Sequence, residues 1–247
     1  MNSKILSVLL LLISPFLPLS GEENFYLIDD NRNELILEFG PSVNERVTPC
    51  SSFKIALCLM GFDSEILKDK QEPIWDFKEG YVDYIDSWKA SQSPQSWIKN
   101  SCVWYSQILT TELGLESLQH YLELFEYGNQ DLSGGLTKAW LGSSLKISPK
   151  EQVAFIQKIV RGEIDVSADA LEKVKPLFFV DDLPGGWKLF GKTGFGHAED
   201  LEIGWFVGWV EKGDKTLVFA YNIRDLKTDS SQRVPKVKQL LVESNAL

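Results

Sequence analysis

Two periodicities divide the chain. Near both ends, apolar residues come in short runs bounded by turn formers; through the middle they recur every three or four residues. Residues 25–28 and 34–39 flank the turn-rich Asp29-Asp30-Asn31-Arg32-Asn33, a pattern that predicts a hairpin. Ile55-Ala56-Leu57-Cys58-Leu59-Met60 then predicts a helix starting at Ser51 that is apolar all round. From about 63 to 145 the spacing is helical, most clearly over 101–113 and 115–125. Ser148-Pro149-Lys150-Glu151 combines a capping serine, a first-turn proline and the glutamate of a capping box, and so predicts a helix to Val160 that stops at Gly162. A shorter helix follows over 167–175. Residues 187–192, 203–211 and 216–223 read as strands, the last two joined by Lys212-Gly213-Asp214-Lys215, and an amphipathic helix over 234–243 closes the chain. Strands at both ends with helices between predict an α/β (α+β) fold: a central antiparallel sheet flanked by helices, with a helical lobe of roughly 63–145 inserted.

The first 21 residues stand apart. Lys4 supplies a positive start, residues 5–19 are apolar apart from serine and proline, and Ser20-Gly21 offers small residues for cleavage. This predicts a secretory signal, hence a periplasmic protein, with an uncleaved N-terminal anchor as the alternative. Residues 22–247 carry enough apolar material for a single domain; its oligomeric state, monomer or dimer, is open. The net charge of −10 argues against nucleic acid and against an anionic membrane surface as partners. The two histidines and three cysteines show no metal-ligand spacing, so no metal is expected. Cys50, Cys58 and Cys102 leave at least one thiol unpaired, and the pairing is open; all three read most simply as small buried apolar residues.

Candidate chemistry starts at Lys54. A lysine inside an apolar helix is costly unless paired or neutral, and Ser51, three residues earlier, lies on the same helical face. That is the layout of a serine nucleophile beside a lysine base. Ser-x-x-Lys recurs at Ser96/Lys99 and Ser143/Lys146, but in polar surroundings that suggest surface positions. Lys192-Thr193-Gly194, at the end of a strand-like run, offers a cation and a hydroxyl for an anionic group, and a glycine that lets a substrate approach the backbone. Ser101-Cys102-Val103 and Tyr127-Gly128-Asn129 are unspecific when taken singly. His197 has no evident acid partner, and no Ser-His-Asp triad suggests itself.

In this order the four motifs resemble the penicillin-recognising serine enzymes, and in detail the class D β-lactamases, the oxacillinases. The likeness runs through Pro49-Cys50-Ser51-Ser52-Phe53-Lys54-Ile55, Ser101-Cys102-Val103-Trp104, Tyr127-Gly128-Asn129, Trp140-Leu141, Leu145-Lys146-Ile147-Ser148-Pro149, Gly191-Lys192-Thr193-Gly194 and Gly204-Trp205-Phe206-Val207-Gly208-Trp209. Ser52 stands where the family often has threonine. The resemblance implies β-lactam antibiotics as substrates, Ser51 as nucleophile, and no cofactor beyond carbon dioxide or bicarbonate, which N-carboxylates Lys54. It further implies Trp140 and Val103 around the carbamate, Ser101 and Lys192 in proton transfer, and the backbone N–H groups of Ser51 and Phe195 as oxyanion hole. Thr193, Gly194, Tyr127 and either Arg233 or Arg224 would bind substrate. The same motifs also occur in penicillin-binding carboxypeptidases and transpeptidases and in non-hydrolysing β-lactam sensor domains.

Overall fold

A computed structural model describes residues 21–247; the predicted signal segment, but for Gly21, lies outside the described residues. Six antiparallel strands form one sheet in the order β2-β1-β6-β5-β4-β3: β1 (Glu22–Asp29), β2 (Glu34–Phe39), β3 (Phe179–Leu183), β4 (Trp187–Ala198), β5 (Leu201–Lys212) and β6 (Lys215–Asp225). Both ends of the chain meet in this sheet because β1 pairs with β6, Tyr26 opposite Ala220 and Phe25 opposite Tyr221.

The central strands are buried on both faces, so they read as continuous apolar runs instead of alternating ones. Trp205, Val207 and Trp209 of β5, with Val218 and Ala220 of β6, join the larger core. Phe206, Val210, Phe219 and Tyr221 point the other way, onto Val237, Leu240 and Leu241 of the C-terminal helix α6 (Arg233–Glu243). The larger core is filled by α1 (Lys54–Asp63), α3 (Val103–Leu124), α4 (Pro149–Arg161) and α5 (Ala168–Val174), together with α2 (Pro94–Asn100). The chain between α1 and α4 is helical and irregular; its only described strand-type pairing is two isolated bridges, Val47 with Ile147 and Trp75 with Gln92.

Local chemistry explains the boundaries. Ser148 Oγ accepts from Glu151 N while the Glu151 carboxylate accepts from Ser148 N, and α4 ends at left-handed Gly162 (φ 67°), as predicted. Gly114 (φ 76°, ψ 163°) breaks α3 between the two predicted helical stretches. Two elements are absent from the sequence reading. β3 is a largely exposed edge strand without apolar alternation. Helix α2 is a single capped segment of seven residues, too short to show a period.

Helix α1 is the pivot for function. Every residue from Lys54 to Phe62 is buried, which is what an all-round apolar helix requires. Strand β4 runs alongside its start. Only the Trp187–Phe190 end of β4 pairs with β3, so on that side the strand is open from Gly191 onward.

Where β4 and β5 press together, Gly208 admits no side chain, because a Cβ there would sit 2.0 Å from the Phe190 carbonyl oxygen. Gly208→Ala is therefore expected to lower the urea midpoint, at a cost of about 1–3 kcal/mol, the usual range for forced overpacking.

Candidate active site

A tight turn carries the nucleophile candidate. Cys50–Phe53 forms one 3₁₀ turn leading directly into α1, and in such a turn side chains at i and i+3 eclipse. Lys54 Nζ consequently lies 3.1 Å from Ser51 Oγ. Lys54 is wholly inaccessible to solvent (0%). Burial, with no carboxylate among the groups acting on it, pulls its pKa down to about 7.

Two further cations converge here. Lys192 is buried, and desolvation together with repulsion from Lys54 and Arg233 holds its pKa well below the ordinary lysine value. Its ammonium donates to Thr193 O (3.0 Å) and Thr193 Oγ1 (3.4 Å), so its hydrogen bonds are made within its own strand and not to Ser101. Arg233, at the start of α6, donates to Gly194 O and through Nε to Ser230 O (2.7 Å). Its stem passes over Gly204, where a Cβ would meet Arg233 Cδ at 3.1 Å. Desolvation lowers its pKa to about 10. Arg224, the alternative, is committed elsewhere, to Asn222 (2.9 Å), Glu45 (2.9 Å) and Ser42 O. The guanidinium of Arg233, buried beside Lys192 at β4 and still charged at physiological pH, favours an anion there.

Gly194 has a structural reason besides the predicted one. A Cβ there would meet Pro49 O at 2.9 Å and Ser52 N at 3.0 Å, so the glycine lets β4 press against the nucleophile turn. Gly196 does the same against Cys50 Sγ (2.8 Å). Tyr127 departs from expectation. It is fully buried (0%), with its ring 5.1 Å from both Phe53 and Phe155, so it shapes the floor behind the turn instead of touching a substrate.

Ser101 caps the C-terminus of α2 in the left-handed region (φ 55°) and Val103 opens α3, with Cys102 between them acting electrostatically on Lys54. Phe195 is 41% exposed and lies against the Arg233 guanidinium, 5.8 Å from its ring centre. His197 sits on the rim, two-thirds exposed, 3.6 Å from Glu202.

Trp140 packs on Phe53, ring centres 5.6 Å apart, and its carbonyl accepts from Cys50 N (3.1 Å). Its indole N–H is buried yet has no hydrogen-bond partner among the described residues. An orphaned buried donor is costly, and on a ring packed against Phe53, the residue before Lys54, it leaves room in bonding terms for a small acceptor. The other repetitions of Ser-x-x-Lys are incidental, since Lys99 and Lys146 are exposed.

Two supporting residues carried no motif. Gln152 of α4 is buried and donates to Ser52 Oγ (2.9 Å), which donates to Pro49 O (2.7 Å). Thr48 is buried before the turn and bonded on three sides. Only a buried polar position on the predicted inner face of α4 could have signalled Gln152. No group of three or more His, Cys, Asp or Glu that could hold a metal occurs among the described residues, and no described helix is long and apolar enough to cross a membrane.

The chain matches the family model described as the penicillin-binding protein transpeptidase domain over residues 29–242. It is 36% identical to β-lactamase OXA-1 of Escherichia coli over 235 residues, covering 90% of this chain and 84% of that one. With β-lactamase OXA-9 of Klebsiella pneumoniae the identity is 42% over 190 residues, covering 71% and 69%. The solved structure of OXA-427, a class D β-lactamase, superposes with a TM-score of 0.85 at 36% identity, over 91% of this chain and 98% of that one.

All three cysteines are unpaired and buried. Burial pushes the thiol pKa up to about 12 for Cys50 and about 11 for Cys102, and raises Cys58 well above its ordinary value. A thiol-specific chromogenic reagent at pH 8 is expected to find no reactive thiol in the native protein and three after unfolding.

Proposed function

This chain belongs to the penicillin-binding transpeptidase family and, within it, to the class D β-lactamases, and on that basis we propose that it hydrolyses penicillins of the oxacillin type and some cephalosporins through an acyl-enzyme on Ser51, in the periplasm, conferring β-lactam resistance. The observation that carries the mechanism is a lysine with no exposure, no acidic neighbour and a 3.1 Å contact to a serine hydroxyl.

Lys54 is modified in this reading. An amine reacts with carbon dioxide only when neutral, and a pKa of about 7 leaves much of Lys54 neutral at physiological pH. The unpaired indole N–H of Trp140 suits a carbamate oxygen, and Val103 and Phe53 keep its surroundings apolar. Once formed, the carbamate supplies the general base for acylation and for hydrolysis of the acyl-enzyme.

The chain's own groups account for the remainder. Ser51 Oγ gives up its proton toward the Lys54 side chain and attacks the lactam carbonyl. The N–H groups of Ser51 and Phe195 receive the developing oxyanion, each such donor being worth about 3–4 kcal/mol in related hydrolases. Lys192, beside Lys54, is the electrostatic support for Ser101, which passes a proton to the departing nitrogen. Thr193 Oγ1 and the Arg233 guanidinium bind the substrate carboxylate, the guanidinium supplying the opposite charge. Tyr127 serves the shape of the site, and Gly194 both lets β4 approach the nucleophile turn and lets a substrate lie close to the strand's backbone.

With a chromogenic cephalosporin, mature protein is expected to turn over many times. Ser51→Ala and Lys54→Ala should each lose at least about 10³-fold in kcat/KM, in line with losses for nucleophile and base in other serine hydrolases. Arg233→Ala should raise KM about tenfold or more, as loss of a charged hydrogen bond implies, while Arg224→Ala leaves KM unchanged. A single stoichiometric burst without turnover would instead indicate a penicillin-binding or sensor protein. The pH profile follows from the sign of the Lys54 shift. Below about pH 7 the amine is protonated and cannot hold carbon dioxide, so at limiting bicarbonate activity should fall as pH drops through about 7. Added bicarbonate should restore it.

A further inference from the structure

Thr48 ties two separate parts of the chain, the Trp140–Gly142 segment and β5, to the stretch leading into the nucleophile turn. It is almost wholly buried (1%). Its hydroxyl donates to the carbonyl of Trp140 (2.8 Å) and accepts from the N–H of Gly142 (2.9 Å). Its own carbonyl accepts from the indole N–H of Trp205 on β5 (2.9 Å). A hydroxyl used as donor and acceptor at once has a fixed rotamer and holds both partners in one geometry. Two residues on, Cys50 N donates to the same Trp140 carbonyl (3.1 Å). The Trp140–Gly142 segment is confined from its other side as well, for a Cβ on Gly142 would lie 2.3 Å from the carbonyl oxygen of His197 on β4.

We infer that Thr48 is the positioning residue for the Trp140 indole, through its hydroxyl bridge to Trp140 O and Gly142 N, and so sets how well carbon dioxide is retained on Lys54. The inference rests on the carboxylation reading and adds to it the residue that orients the donor. Trp140 packs on Phe53, next to Lys54 in sequence, and its orphan N–H can meet a new acceptor only if the segment bearing it does not shift. Thr48 supplies the only side-chain hydroxyl bonded to that segment's backbone among the described residues. It does not touch Lys54 by any hydrogen bond, so it acts through Trp140 and not on the amine.

The test reads occupancy and not activity. Wild-type protein, Thr48→Val, Thr48→Ala and Thr48→Ser are titrated with ¹³C-bicarbonate at pH 7.5 without substrate, and the lysine carbamate signal is followed by ¹³C NMR. Thr48→Val keeps the shape and loses the bridge, Thr48→Ala does so without added bulk should the valine variant not fold, and Thr48→Ser keeps the hydroxyl. The expected result is a rise of about 10- to 100-fold in half-saturating bicarbonate for valine and alanine, the range seen when an orienting hydrogen bond behind a ligand is removed at metal sites. Thr48→Ser should stay within about threefold of wild type, and saturating bicarbonate should give full occupancy in every variant. Valine and alanine variants that titrate like wild type would overturn the assignment, as would an equal loss in Thr48→Ser, which would make the effect one of packing. A wild-type protein with no carbamate signal at any bicarbonate concentration would instead remove the carboxylation reading on which the assignment stands.

Discussion

The desolvation of one amine governs the rest of this site. Helix α1 has no polar face and must be buried all round, so the lysine that opens it cannot reach water. A charged ammonium there would be costly, and no carboxylate offsets it. The protein resolves this by letting the group exist as a neutral amine near physiological pH. A neutral lysine against a serine hydroxyl is already a base, and on the proposed reading it is also the amine to which carbon dioxide adds. The feature that destabilises the charged form is the one that makes the chemistry available.

The same economy shapes the surroundings of the turn. Gly194 and Gly196 have no side chain because β4 presses directly on Pro49, Cys50 and Ser52. That contact sets the distance between the nucleophile turn and the strand bearing Lys192 and Thr193. Behind the turn, Gln152 and Ser52 satisfy Pro49 O, while Phe53, Tyr127 and Phe155 fill the floor with rings. Ahead of it, Thr48 ties the turn to the Trp140 segment. The reacting groups therefore rest on a buried, ring-filled floor, as preorganised catalysis requires.

How much of this the sequence discloses depends on whether a feature is local. The Ser148 capping box, the Gly162 stop and the apolar runs of β5 and β6 depend on neighbours a few residues away, and all are legible. So is the Ser51/Lys54 pair, because three-residue spacing and an apolar context state the geometry almost directly. Strand β3 is not legible, being an exposed edge with no alternation. Neither are Thr48 and Gln152, whose partners lie about 90 to 160 positions away and leave no pattern nearby. The choice between Arg233 and Arg224 could not be made from the chain either, since it turns on which arginine crosses Gly204 to reach β4. Gly194 shows a subtler gap: the motif marks the residue, but its close approach to the nucleophile turn, about 140 positions away, leaves no nearby signal.

The most direct test of this account is the ionisation of Lys54 itself. Protein labelled with ¹³C at lysine Cε would be titrated in bicarbonate-free buffer, with Lys54→Ala to assign the signal. The account predicts a resonance titrating at about 7 that is missing from the variant. Should the assigned Lys54 signal instead titrate near 10, as an ordinary solvated lysine does, the amine would be charged at working pH, and neither the neutral base nor its carboxylation would stand.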